Sequence, residues 1–196
     1  RLSKNTFSKK NKSNQRRIKL DTKHLVSDQY TKQLTQLHQI RESFGDSGSY
    51  KHINQWLSNN KCHSLLDYGC GKGNVFKNIQ KKFPQMDCRG YDPGVPEYAV
   101  MPEIPAELVI CADVLEHIEP ELIDNVLKHI ESLTLKTAYL IIDTLPAQKN
   151  LPDGRNPHLI IENQDWWTNK ILTVTNFKIK TNMFWKNRRI SMECVK

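Results

Sequence analysis

No apolar run in these 196 residues approaches the length of about 20 that crosses a bilayer, and no hydrophobic leader of a secreted protein is visible. Both absences argue against a membrane span or export. Cysteine is sparse and unclustered. Cys62, Cys70, Cys88, Cys111 and Cys194 contain no C-x-x-C pair. Their odd number argues against a disulfide framework and for a reducing, intracellular compartment, with the cytoplasm as the expected location. Four of the five stand in or beside predicted strands, as reduced buried thiols do. Two nucleotide fingerprints are also missing. G-x-G-x-x-G fails because Asn74 stands where the third glycine belongs, and the phosphate-binding G-x-x-x-x-G-K-[ST] fails because Gly73 follows Lys72. There is no internal repeat.

Net charge is lacking over most of the chain. Residues 1–24 carry nine Lys or Arg against one Asp, and the remainder carries 20 of each sign. The whole excess of +8 therefore sits in a basic N-terminal arm. This arm has few apolar residues and one aromatic, Phe7, so it is expected to be flexible, with little base stacking. Three readings stay open: a solubilising tail, a binder of RNA or DNA, or a remnant of a transit peptide, the chain beginning at Arg1. The length suits one domain with a real core, expected over residues 25–196.

Glycine is scarce too, and three of the eight crowd into one turn. Residues 65–73 read Leu-Leu-Asp-Tyr-Gly-Cys-Gly-Lys-Gly. The leading apolar pair fits a buried parallel strand. The alternating glycines fit a turn whose backbone comes close to a ligand. A helix follows, with Val75, Phe76, Ile79 and Phe83 on one side. A strand, a glycine turn and a helix make the first unit of a nucleotide-binding α/β sheet, with the ligand over the carboxyl end of the strand. The next strand, 87–91, ends at Asp92, 25 positions after Asp67, where a carboxylate can accept hydrogen bonds from both ribose hydroxyls of an adenosine. A third apolar run, from Leu108, ends at Asp113 and continues Val-Leu-Glu-His117.

The first segment closely resembles motif I of the class I S-adenosylmethionine (SAM) methyltransferases, D-x-G-x-G-x-G, matched by Asp67, Gly69, Gly71 and Gly73. Many of that family also carry a D/E-V-L-E-H segment, similar to Asp113–His117. The resemblance covers about residues 62–145. It implies a SAM-dependent methyltransferase with cofactor-binding residues Asp67, Gly69, Cys70, Gly71, Gly73, Asp92, Pro93, Asp113 and Val114. Asp67 would hold the amino group and Asp92 the ribose. It further implies a Rossmann-like, doubly wound α/β fold of seven mainly parallel strands, ending in an antiparallel pair.

Strands are expected at 65–68, 87–91, 107–112, 137–143, about 173–181 and about 188–195, and helices at 74–83, 120–133 and 162–172. Their alternation argues for a parallel sheet covered on both faces. Two amphipathic helices, Leu25–Phe44 and Tyr50–Leu57, separated by Gly45–Ser49, are expected to cap the cofactor site within residues 25–60. Only 20 residues, with four prolines, separate Asp92 from Asp113, so the third-strand unit must be short or missing.

Methyl transfer is an in-line displacement in which the cofactor carries the activated group and the protein supplies orientation. Groups past the carboxyl ends of the strands ending at Asp113 and Asp143 are the acceptor-side candidates. His117, His158 and Asp113 are expected to be catalytic, and Glu116, Arg155, Asn156 and His158 to bind substrate. His suits a general base by its pKa. Asp113, Glu116, His117 and His158 also form a mixed oxygen and nitrogen donor set. That pattern loosely resembles metal-dependent RNA 2′-O-methyltransferases, but D-V-L-E-H also occurs in metal-free enzymes. The expectation is therefore no metal, with Glu116, His117 and His158 as the set to watch. The acceptor is a small molecule or sugar by the D-V-L-E-H segment, or RNA or another nucleic acid by the basic arm. A non-catalytic SAM-binding subunit is the reading from another class.

Overall fold

The computed structural model describes residues 24–40 and 50–196. The arm up to residue 23 and the expected break at Gly45–Ser49 lie outside the described residues. Helices α1 (Asp28–Ile40) and α2 (Tyr50–Asn59) precede the sheet. Strands β1 (Ser64–Tyr68), β2 (Asp87–Tyr91), β3 (Ala106–Ala112) and β4 (Thr134–Asp143) are followed by β5 (Lys178–Trp185) and β6 (Arg189–Val195). Helices α3 (Asn74–Lys82), α4 (Ile123–Leu133) and α5 (Gln164–Val174) connect them.

The sheet order is β2-β1-β3-β4-β6-β5. The first four strands are parallel, and β6 runs antiparallel to both β4 and β5. Strand alternation divides the core into two. Leu65, Leu108, Ile110 and Ile141 face one layer with α2 and α3, while Leu66, Val109, Leu140 and Ile142 face the other with α4 and α5. This is the doubly wound α/β arrangement expected, with the antiparallel terminal pair.

The helices form because their apolar residues return every three or four positions. In α4, Ile123, Val126, Leu127 and Ile130 are all buried. Thr134 ends that helix, its hydroxyl donating to the Ile130 carbonyl at 2.8 Å, and begins β4 without a loop. In α3, Val75, Phe76 and Ile79 are buried, and the chain leaves the helix just before Pro84, which favours an extended residue ahead of it.

The expectation of seven strands is corrected: the described residues hold six. Between β2 and β3 there is one short 3-10 turn, Pro96–Tyr98, and no strand. Pro93, Pro96, Pro102 and Pro105 lack the N–H that a ladder needs, which is enough to prevent a strand there. The strand expected from about 173 begins at Lys178 instead. Helix α5 runs on to Val174, and the Thr175 hydroxyl turns back to the Ile171 carbonyl at 2.7 Å.

Candidate active site

A cavity of about 250 Å³ lies over the carboxyl ends of β1, β2 and β3. Its walls include Asp67, Gly69, Cys70, Gly71, Asp92, Pro93, Asp113 and Val114, all nominated from the sequence. Gly73 is not in the wall. It stands at the N-terminus of α3 with φ 78°, where a Cβ would sit 2.6 Å from the Phe76 ring. Gly69, at φ 79°, is fixed more tightly, since a Cβ there would lie 2.3 Å from Val114 Cγ2. The turn after β1 therefore packs directly on the segment after β3, and only glycine permits that approach.

Two buried carboxylates serve different ends. Asp92 Oδ2 accepts from Gly71 N–H at 2.9 Å and Oδ1 from Gly94 N–H at 2.8 Å. It stitches the turn after β1 to the turn after β2. Asp67 accepts a backbone hydrogen bond from Phe76, and its Oδ2 has no partner among the described residues. Burial, with Asp92 nearby, pushes the Asp67 carboxyl up to about 7.

On the far side, Asp113 and His117 line the cavity. Asp113 has φ 56°, a left-handed conformation that costs roughly 1–3 kcal/mol in a non-glycine residue. Its N–H donates to the Ile141 carbonyl at 2.9 Å, and Arg189 pairs with its carboxylate at 3.3 Å. His117 and His158, 41 positions apart, meet edge to face with ring centroids 4.7 Å apart. Burial and His158 hold the His117 imidazole down at about 4, so it is neutral at pH 7. Glu116 is fully buried, which raises its pKa well above the usual carboxylate range, with Asp113 adding to the shift.

His158 does not line the cavity but stands behind His117. Asn156 is turned inward to the loop. Its Oδ1 accepts from Ala147 and His158 N–H at 3.1 and 2.9 Å, and its Nδ2 donates to the Ala147 carbonyl at 2.9 Å. Arg155 is half exposed and pairs with Asp153 at 2.8 Å. Of the four residues nominated for substrate contact, none lines the cavity wall.

Helix α1 supplies wall residues that no sequence motif marked: Tyr30, Leu34 and His38. Its amphipathic period was the available signal. The helix is tied down at two points. Ser27 N–H donates to Glu119 Oε2 at 2.8 Å, and Gln33 donates to Asp153 at 2.7 Å. Val26, Tyr30 and Leu37 pack with Leu151 in a small cluster of their own. Among the described side chains of α2 none lines the cavity, and its Ile53 and Leu57 are buried in one cluster with Val75, Phe76 and Ile79 of α3. Tyr68 and Tyr91 complete the floor, with the Tyr68 hydroxyl 3.0 Å from His129 Nδ1.

A family model described as a methyltransferase domain matches residues 23–181. No curated protein matches the chain. Among solved structures, it is similar to 1,6-didemethyltoxoflavin-N1-methyltransferase of Burkholderia thailandensis, bound to 1,6-didemethyltoxoflavin and S-adenosylhomocysteine. That match has a TM-score of 0.60 and 14% identity over 86% of this chain and 89% of the other. The mitomycin 7-O-methyltransferase MmcR matches with a TM-score of 0.59 and 14% identity over 83% and 60%. Magnesium protoporphyrin IX methyltransferase of Synechocystis PCC 6803, with bound SAM, matches with a TM-score of 0.53 and 18% identity over 81% and 83%. The chain spans about 60% of the length of the O-methyltransferase structures that it matches.

Proposed function

This chain belongs to the SAM-dependent methyltransferases, and we propose that it transfers the methyl group to a small molecule or sugar held between α1 and the segment 113–117. The observation that carries the reading is Asp67: a buried carboxylate oxygen with no partner among the described residues, in the wall of a cavity built on a glycine turn. An ammonium is the group that such an oxygen lacks, and SAM has one on its methionine part. The residues present therefore fit the cofactor. When bound, SAM supplies a methyl group on a sulfonium centre, which an acceptor atom displaces in line.

Asp67 would hold the amino group, and Gly69 and Gly71 would let the backbone approach the methionine part. Asp92 would face the ribose. Its two backbone hydrogen bonds leave its remaining lone pairs for the hydroxyls. Tyr30, Leu34 and His38 would roof the ligand and exclude water. Asp113 and His117 would meet the acceptor, with Arg189 holding Asp113 and His158, itself fixed by Asn156, backing His117. The roof supports a small acceptor, because α1 is tied to two loops across the cavity. The solved relatives named for mitomycin and didemethyltoxoflavin are in keeping with it. The five free thiols fit a reducing compartment.

The excess charge of residues 1–24 supports the alternative of a nucleic-acid acceptor. Methyl incorporation from labelled SAM, measured with and without residues 1–24, separates the two. The proposal expects turnover of small hydroxylated or amino compounds to survive deletion with little salt dependence. Turnover of RNA or DNA alone, lost on deletion and steeply weakened by salt, would contradict it. SAM binding with no turnover on any acceptor would point to the non-catalytic subunit.

A further inference from the structure

We propose that Glu116, His117 and His158 hold a divalent first-row transition-metal ion beside the methyl-transfer cavity. The ion's position relative to an acceptor rests on the reading above, but the site itself does not. The sequence favoured a metal-free centre, whereas the hydrogen bonds of these three side chains favour an ion.

His117 Nδ1 lies 2.9 Å from the Pro157 carbonyl oxygen, and His158 Nδ1 is hydrogen-bonded to the Leu145 carbonyl. A carbonyl oxygen can only accept, so each Nδ1 carries the proton and donates it. Each Nε2 is then bare, with its lone pair directed away from the backbone. Fixing a histidine through an Nδ1–H to a carbonyl is what keeps the other nitrogen free to ligate.

Glu116 adds a third acceptor. One carboxylate oxygen accepts from Asp143 N–H at 3.0 Å, while the other is buried with no hydrogen-bond partner among the described residues. One donor atom from each of the three residues lies within 4.8 Å of the others. The cluster thus gathers two imidazole lone pairs and a carboxyl group that can offer at most one proton to them. A cation satisfies all three at once, and a hydrogen bond between any two would leave the third unpaired.

The surroundings hold these three groups in place. Ile160 N–H donates to the Glu116 carbonyl at 3.0 Å, joining the loop that carries His158 to the turn that carries Glu116 and His117. Asn156 fixes the His158 backbone at 2.9 Å. Asp113 stays out of the set because it is paired with Arg189. Two imidazoles and one carboxylate select a zinc, cobalt or manganese type of ion over magnesium or calcium, which prefer oxygen alone. Bonds of about 2.1 Å require the donor atoms to draw in to roughly 3.4 Å, a closure of up to about 1.4 Å. Three protein ligands leave further positions open, and His117 is a cavity wall residue. The open side can therefore receive a hydroxyl oxygen of the acceptor, and the ion would lower that hydroxyl's pKa so that its proton passes to solvent in the cavity rather than to His117.

The full chain, stripped with a chelator and dialysed, is titrated with Co²⁺ and Zn²⁺ by calorimetry and visible absorption, with Mg²⁺ as control. The expected result is one Co²⁺ per chain with ligand-field bands and a Kd below about 100 µM, and much weaker Mg²⁺ binding. His117→Ala, His158→Ala and Glu116→Gln should each weaken Co²⁺ by at least about tenfold. Glu116→Gln preserves shape and guards against misfolding: Zn²⁺ should raise the melting temperature of wild type and not of this variant. Absence of saturable binding, or equal binding by wild type and all three variants, would overturn the site. SAM is titrated into the same samples. A protein that takes the ion but not SAM supports the site and overturns only the reading of the cavity.

Discussion

Asp67 offers the sharpest test of how this cavity recognises its ligand. Its Oδ2 is buried without a partner among the described residues, and burial raises the carboxyl to about 7. A cationic amino group binds the ionised form, so binding must displace a proton from part of the population at neutral pH. With a pKa of about 7, roughly a tenth of the molecules are ionised at pH 6 and roughly nine-tenths at pH 8. SAM affinity should therefore rise about tenfold from pH 6 to pH 8, and proton release should be greatest below pH 7. Asp67→Asn removes the charge while keeping the volume. The lost charge-assisted hydrogen bond is worth about 1.5–3 kcal/mol, or about 10- to 150-fold in Kd. The variant's affinity should also be flat across this range. Calorimetric titration in two buffers of different ionisation enthalpy reads both effects. An Asp67→Asn variant that binds within twofold of wild type, or a wild type whose affinity is independent of pH, would refute the assignment.

Gly69→Ala should lower the melting temperature and SAM affinity together. The left-handed backbone alone costs about 1–2 kcal/mol, and the new Cβ meets Val114 Cγ2 at 2.3 Å. Adding Val114→Ala should recover part of the contact cost but not the backbone cost, as seen by thermal melts of the single and double variants. Asn156→Ala leaves the Ala147 and His158 backbone groups without partners, which should destabilise the fold by roughly 1–3 kcal/mol. It should weaken Co²⁺ binding while SAM binding stays close to wild type, because Asn156 touches the His158 loop and not the cavity.

The parts of this molecule that were legible in the sequence are those whose cause is local. The glycine turn after β1 announces itself because a positive φ and a close approach both demand glycine within a few residues. The strands β1, β3 and β4 follow from short continuous apolar runs, as strands buried on both faces do, and α3 from an apolar period of 3.6. Asp92 is legible because a strand ends there, and the prolines before Asp113 mark a short or missing third-strand unit even though the resemblance implied seven strands. What the sequence did not show is non-local. Tyr30, Leu34 and His38 become cavity residues only because α1 folds back over β1 and β2, held by Glu119 and Asp153. Glu116, Arg155 and Asn156 read as polar substrate contacts, yet Glu116 turns into the core and Asn156 into its own loop. The pairing of His117 with His158 depends on where a 41-residue excursion through α4 and β4 returns. Nothing in the spacing of the two residues announces it.

All that is proposed for the acceptor side depends on SAM occupying the cavity over β1, β2 and β3. Titration of SAM and S-adenosylhomocysteine into the full chain, with Asp92→Ala as the control, tests it most directly. The substitution removes the acceptor of two buried backbone N–H groups as well as the proposed ribose contact. Micromolar binding of both ligands to wild type, abolished in the variant while its circular dichroism stays folded, is the predicted result. A wild type that binds neither ligand, or a folded Asp92→Ala variant that binds both equally well, would contradict the account.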